Sequence, residues 1–170
     1  GHEVGSHTFN HKRISQLSFR EFCEELDRSR KDIEKVSRTK CTSFVPPWDK
    51  PQYFLNMAID FKPKTTIPVR SKLSFRQITT ALKKTGYKTY RTCPLTSKFN
   101  KFKLSKPFKK NGVLCIQTRL SNGFTSDARK LVKKAIEKKG LAVVYAHPRG
   151  LSHSGPQNRI HFQKFIDYVG

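Results

Sequence analysis

Two histidines close to the start of the chain could bind one metal ion. His7 and His11 are separated by three residues, and each neutral imidazole supplies one nitrogen donor, so both can reach one ion from a single backbone turn. With six histidines in 170 residues, an accidental pair is the plain alternative. The flanking Gly, Ser, Thr and Asn residues are poor helix formers and favour a loop that holds the pair together. A third ligand must come from elsewhere.

The elements next to this loop are predicted from capping residues and apolar spacing. Ser18 is expected to cap a helix that runs to about Val36, with Glu21 completing a capping box. Residues 42–45 then form a short strand that ends at the prolines of residues 46–47. The predicted buried face of the helix consists of Phe19, Phe22, Cys23, Leu26, Ile33 and Val36.

The rest of the chain alternates between short strands and helices. Strands are predicted at residues 65–69, 87–92, 113–119 and 141–146, and helices from Ser74 to Gly86, from Ser126 to Gly140 and over residues 159–169. The last helix is expected to bury Phe162, Phe165, Ile166 and Val169. This alternation predicts an α/β protein with a largely parallel sheet or barrel, and the length fits one domain over residues 1–170.

Two further segments follow predicted strands directly. Pro46, Pro47 and Trp48 follow the strand at residues 42–45, and His147 follows the strand at residues 141–146. Because α/β barrels assemble their active sites at the carboxyl ends of the strands, both segments are expected near one mouth. For a lone histidine after a strand, a structural role is the more common alternative.

The first eleven residues also carry a family resemblance. The string Gly-His-Glu-Val-Gly-Ser-His-Thr-Phe-Asn-His resembles the His-x-x-x-His metal motif of the polysaccharide deacetylases, the NodB-type carbohydrate esterases. Similar motifs follow in the expected order at Leu17 and Ser18, at residues 43–48 and at residues 144–148, so that the resemblance spans nearly the whole chain. It implies an incomplete or distorted (β/α) barrel of the NodB type.

The resemblance implies a metal-dependent hydrolase that removes N-acetyl or O-acetyl groups from a polysaccharide or oligosaccharide. His7 and His11 would hold a divalent ion, most often zinc, and His147 would act as general acid. The backbone N–H of Trp48 would help to hold the oxyanion, with Pro47 and Trp48 as a wall of the substrate site. Such a protein belongs to carbohydrate metabolism.

Two departures from the family pattern bear on activity. In the family, an Asp-Asp pair supplies the base and the third metal ligand. This pair has no counterpart here, because the chain begins after its place. The sequence is therefore interpreted as an N-terminally truncated domain, whose activity stays open. Val45 stands where the family commonly has arginine. Asp49 could in principle substitute as a carboxylate, although a solvated loop aspartate is the plainer interpretation.

The charge of the chain favours an anionic partner. The net charge is +23, from 35 Lys and Arg against 12 Asp and Glu. In residues 98–110 lysines alternate with three phenylalanines, a pattern that could stack bases and neutralise phosphates. A solvated loop anchored by buried phenylalanines is the favoured alternative for this segment. The competing function is therefore a non-catalytic basic module that binds nucleic acid or an acidic glycan.

The cysteine spacing and the hydropathy limit the kinds of site and of segment that the sequence can be expected to contain. Cys23, Cys41, Cys93 and Cys115 include no Cys-x-x-Cys pair and are interpreted mainly as small core residues. No apolar stretch reaches the length of a membrane span, and the first residues lack the pattern of a signal peptide.

Overall fold

A computed structural model describes residues 3–47, 72–92, 107–117, 121–122, 124, 126–145 and 158–169. The chain divides into two compact units. Unit 1 comprises Gly1–Cys93 and Pro107–Ile116, and unit 2 comprises Pro94–Lys106 and Gln117–Gly170. The expectation of one domain over residues 1–170 stays a prediction.

Unit 1 is built on a mixed four-stranded sheet. Its strands are β1 (Ser43–Phe44), β2 (Thr89–Thr92), β3 (Phe108–Lys110) and β4 (Val113–Gln117), in the spatial order β1-β2-β4-β3. The β1 and β2 strands are parallel, with Ser43 opposite Thr89, whereas β3 and β4 are antiparallel, with Phe108 opposite Cys115. The mixed α/β character is as predicted, but β3 was missed, and the barrel stays a prediction.

Helix α1 (Phe19–Ser37) begins as predicted. Ser18 Oγ accepts the Glu21 N–H at 3.3 Å, and a Glu21 carboxylate oxygen accepts the Ser18 N–H at 2.7 Å, which completes the capping box. Phe22 and Leu26 are fully buried. The predicted burial of Val36 is wrong: its side chain is 85% exposed, because the last turn of the helix lies beyond the core.

Aromatic rings fill the space between α1 and the sheet. The Phe44 ring lies with its centroid 5.8 Å from Phe22, 5.8 Å from Tyr87 and 5.9 Å from Tyr90. The Tyr87 hydroxyl donates to the Leu26 carbonyl at 3.0 Å, and burial raises the pKa of this phenol well above its ordinary value. The core of unit 1 therefore couples β1 to α1 directly.

Helix α2 (Phe75–Lys84) has the predicted boundaries. Ser74 and Gln77 form a second capping box, and Gly86 follows the helix with φ +87°, a left-handed conformation that favours glycine.

Replacing Gly86 with alanine is expected to lower the free energy of unfolding by about 1–2 kcal/mol, the cost of a Cβ in left-handed backbone. A Cβ there would lie 3.1 Å from Arg30 Nη1, at the end of a long side chain that can shift slightly. Urea denaturation measures the change. Gly86→Asn is the control, since asparagine tolerates this conformation better; equal losses for both variants would mean that crowding, and not backbone conformation, sets the cost.

Unit 2 contains a two-stranded parallel sheet and two helices. The β5 (Ser121–Asn122) and β6 (Val144–Tyr145) strands pair with Ser121 opposite Val144. Helix α3 (Ser126–Glu137) and helix α4 (Arg159–Val169) lie where they were predicted. None of the helices in the described ranges combines the length and apolar composition of a membrane span.

The details of unit 2 differ from the predictions at one helix face. Phe165 is buried on α4, but Ile166 and Val169 are 42% and 43% exposed, so their predicted burial is wrong. The buried face is narrower than the apolar periodicity suggests because α4 packs through Phe162 and Phe165, whose rings lie 4.9 and 5.5 Å from that of Phe124. After α3, Lys139 takes the left-handed conformation, with φ 47°.

Three cysteines match their interpretation as core residues. Cys41 and Cys115 are buried, Cys23 is half-buried, and all three are free thiols. Burial raises the pKa of Cys115 to about 11, which keeps this thiol protonated at neutral pH. Cys93 lies outside the described residues.

Candidate metal site

The loop that carries the two histidines is attached to the outer edge of β1. The Ser6 N–H donates to the Ser43 carbonyl at 2.8 Å, and the Val45 N–H donates to the Ser6 carbonyl at 2.9 Å. A Cβ at Gly5 would meet the Ser43 carbonyl oxygen at 3.2 Å, so glycine permits this close approach. The buried hydroxyl of Ser6 also donates to that of Ser29 on α1 at 2.8 Å. The loop is thus fixed to both the sheet and the helix.

Glu3 anchors the first part of the loop to β1. One carboxylate oxygen accepts the Thr42 N–H at 3.1 Å and the Thr42 hydroxyl at 2.8 Å, and the other accepts the Ser43 hydroxyl at 3.0 Å. The hydrogen bond from the Thr42 side chain is the main cause that holds the pKa of Glu3 below its ordinary value.

Glu25 on α1 anchors the second part of the loop. Its two carboxylate oxygens accept the backbone N–H and the side-chain amide of Asn10, each at 2.7 Å, and Lys12 Nζ lies 3.6 Å away. Glu25 is only 5% exposed. Burial by itself raises the pKa of Glu25, but the hydrogen bonds from Asn10 and the charge of Lys12 outweigh it, and the pKa lies below its ordinary value.

The backbone of the loop is strained between its anchors. Thr8 and His11 have φ values of 64° and 54°, in the left-handed region that non-glycine residues rarely adopt. Within the described part of the chain, the buried hydroxyl of Thr8 has no hydrogen-bond partner. Strain of this kind, of order 1–3 kcal/mol per residue, is concentrated at binding and active sites. Sequence reasoning predicted a loop with glycines but gave no sign that Thr8 and His11 would take these conformations.

The structure brings His7 and His11 together. Their ring centroids are 4.9 Å apart and their planes cross at 61°, and both residues are exposed. His7 Nδ1 lies 2.9 Å from the Val45 carbonyl oxygen. Because a carbonyl oxygen only accepts, Nδ1 must carry the proton, and the lone pair of the neutral ring is then on Nε2. A hydrogen bond from the second ring nitrogen to a backbone carbonyl is typical of metal-ligating histidines.

The ring separation fits two ligands of one ion. With metal–nitrogen bonds of about 2.0–2.1 Å at a tetrahedral angle, two imidazole centroids lie about 5 Å apart. Among the described residues, no group of three or more His, Cys, Asp and Glu side chains lies close enough to hold an ion. This part of the chain therefore supplies a two-imidazole donor set.

The proline segment borders the same loop. Pro46 and Pro47 are buried directly after Val45, whose carbonyl accepts the His7 hydrogen bond. The predicted wall residue Trp48, the aspartate after it and the predicted acid His147 lie outside the described residues. Their convergence on His7 and His11 stays a prediction.

Comparison with known proteins points to one class for this part of the chain. Residues 1–53 match the polysaccharide deacetylase family, a segment that includes both histidines, α1, β1 and the proline segment. At the level of the family, this match supports a deacetylase-type hydrolase.

One curated relative matches a segment of similar length. The chain is 38% identical over 47 residues to the uncharacterized protein YlxY of Bacillus subtilis (strain 168). The aligned region covers 28% of this chain and 15% of that protein. No solved structure matches the chain.

Proposed function

We propose that this chain forms part of a metal-dependent hydrolase that removes N-acetyl or O-acetyl groups from a polysaccharide, with His7 and His11 as ligands of a divalent ion, most often zinc in such sites. The observation that carries the proposal is the hydrogen bond from His7 Nδ1 to the Val45 carbonyl, which puts the lone pair of the neutral ring on Nε2, in a ring whose centroid lies 4.9 Å from that of His11. The family match over residues 1–53 gives the reaction class.

In this proposal the loop residues position the two ligands. The Val45 carbonyl selects the tautomer of His7, and Glu3 and Glu25 fix the two ends of the loop. A bound divalent ion would polarise the acetyl carbonyl and make its bound water a stronger acid. By the family resemblance, His147 would protonate the leaving group, and the N–H of Trp48 would help to hold the oxyanion. Pro47 and Trp48 would form a wall of the substrate site, and a carboxylate would complete the ligand set of the ion.

Zinc affinity tests the site directly. His7→Ala and His11→Ala are each expected to weaken zinc binding at least about 100-fold, because each removes one of two imidazole donors, whereas loss of an outer partner alone costs about 10–100-fold. Competition with a chromophoric chelator measures the affinity. His161→Ala, in α4, is the matched control and should bind zinc like the unchanged protein.

Acetate release measures the reaction. In a protein that also carries the family's Asp-Asp pair, the zinc-loaded form is expected to release acetate from an N-acetylated chitooligosaccharide, and His7→Ala and His11→Ala should remove this activity. Zinc affinities that are the same in both variants and in the unchanged protein would contradict the metal site. Acetate release that does not depend on the two histidines would contradict the hydrolase mechanism even if zinc binds.

A further inference from the structure

The hairpin of β3 and β4 packs beside the outer face of α2. The Asn111 side-chain amide donates to Thr79 Oγ1 at 2.8 Å and to Thr80 Oγ1 at 3.2 Å. At one end the Phe108 ring lies 6.1 Å from that of Phe75, and at the other a Cβ built at Gly112 would lie 3.9 Å from Lys83 Cδ. The side chains of α2 and of the hairpin therefore form one continuous surface.

Three cations of this surface are exposed. Arg76 and Lys83 are seven residues apart on α2 and so share one helix face, while Lys110 lies on β3, the last strand of the sheet. Arg76, Lys83 and Lys110 together with Phe108 are called the basic surface below.

Among the described residues, no acidic side chain forms an ion pair with these cations. The sequence contains no Asp or Glu between Asp60 and Asp127. Within the described ranges, the ion pairs involve only residues between Lys12 and Glu34, and none includes a residue of the basic surface. Uncompensated cations on one face create a local positive potential that attracts polyanions.

An aromatic ring lies among the cations. Phe108 is opposite Cys115 and Lys110 is opposite Val113 in the β3–β4 pair, and residues directly opposite each other share a face of the sheet. Val113 and Cys115 face the core below α2. Phe108 and Lys110 therefore lie on the same face of the sheet as α2, at the edge of the sheet. Phe108 is 39% exposed, so that part of its ring can contact a ligand.

We propose that the basic surface binds single-stranded nucleic acid. The backbone of a nucleic acid carries one negative phosphate per nucleotide, and exposed cations such as Lys83 and Lys110 can neutralise these charges. Exposed aromatic rings beside cations are the features that hold single strands without sequence preference. A single strand suits this surface better than a duplex, because its unstacked bases are free to stack on the Phe108 ring.

This surface is separate from the candidate metal site. The histidine loop is attached to β1, and β3 is the strand at the other end of the order β1-β2-β4-β3. The inference does not depend on the proposed hydrolase function. His7→Ala should therefore retain nucleic-acid binding, and variants of the basic surface should retain zinc binding.

Fluorescence anisotropy with a labelled oligodeoxythymidine measures the binding. Lys83→Glu combined with Lys110→Glu is expected to weaken it at least about tenfold at low salt and to reduce the steepness of the salt dependence by about 1.4, since each lost phosphate contact contributes about 0.7 for a single strand. Lys35→Glu combined with Lys138→Glu makes the same change in net charge at exposed positions elsewhere and is the matched control. Thermal unfolding of both variants checks that they fold.

Two further measurements decide the nature of the ligand. Phe108→Ala should weaken binding about 5-fold or more with an unchanged salt dependence, because base stacking is lost and phosphate contacts are kept. The proposal is overturned if the control variant loses as much affinity as the Lys83→Glu, Lys110→Glu variant. It is also overturned if the oligonucleotide does not bind at low salt, or if heparin binds more tightly with the same dependence on Lys83 and Lys110, since the ligand would then be an acidic glycan.

Discussion

Replacing Phe44 with alanine is expected to lower the free energy of unfolding of unit 1 by about 3–5 kcal/mol, the usual cost of truncating a buried phenylalanine. Phe44 is 1% exposed and its ring contacts those of Phe22, Tyr87 and Tyr90. Because β1 has only two residues and holds the histidine loop at Ser6, the cavity would open at the point where core and loop meet. Denaturation in urea, followed by circular dichroism, measures the loss.

Phe9→Ala is the matched control for this change. Phe9 is 38% exposed and its main described contact is with the guanidinium of Arg28, 4.0 Å above the ring. Its truncation should cost only about 0.5–1 kcal/mol, the range of an exposed cation–π contact. A loss for Phe44→Ala no larger than that for Phe9→Ala would show that the ring of Phe44 does not support the core as described.

Replacing Glu25 with alanine is expected to loosen the histidine loop from α1. The change removes the acceptors of both Asn10 hydrogen bonds, and the loss of charge-assisted hydrogen bonds from a buried group costs about 2–3 kcal/mol. Since Glu25 positions the loop through Asn10, zinc affinity should fall by a smaller factor, about 10-fold, than in the ligand variants. Unchanged stability together with unchanged zinc affinity would contradict this positioning role.

The Glu25 carboxylate also makes the free energy of unfolding depend on pH in the acidic range. The pKa of Glu25 in the folded protein lies below its ordinary value of 4.5, so folding favours the ionised form. This contribution is fully present above the unfolded pKa and is lost as pH falls through the lower folded pKa. The midpoint of thermal unfolding for the unchanged protein should therefore approach that of Glu25→Gln as the pH falls below about 4.5. A difference between the two proteins that is constant from pH 7 to 3 would contradict this reading.

The parts of the fold that sequence predicted well are set by local interactions. The helix starts at Ser18 and Ser74 were predictable because each cap bonds to a residue three positions later. The end of α2 before Gly86 follows from backbone conformation, which is also local. Apolar spacing located the buried faces less well, since it gives the side of a helix but not the length over which the core covers it. Val36 is exposed for that reason.

The missed hairpin had a usable signal. Asn111 and Gly112 form the turn between β3 and β4 with φ values of 49° and 80°, and Asn-Gly is a strong indicator of a two-residue hairpin turn. The lysine-rich composition of residues 98–110 favours a surface loop instead, so composition alone predicts no strand there.

The candidate site was predictable only in part. The spacing of His7 and His11 indicated a shared site, and their rings are indeed adjacent. The contact between His7 and Val45 joins residues that are far apart in the chain, so no local pattern could reveal it. The anchoring of Asn10 by Glu25 likewise depends on how α1 packs against the loop.

The attachment of the histidine loop to β1 links ligand affinity to folding by mass action. Ser6 is hydrogen-bonded to both Ser43 and Val45, and Phe44 between them is a central core residue. A ligand that requires the ordered loop therefore stabilises the folded state of the whole unit, by about 2.7 kcal/mol at a free concentration 100 times its Kd. Conversely, a substitution in the aromatic core that populates the unfolded state lowers the apparent affinity of the loop in proportion to the folded fraction, even though it changes no ligand atom.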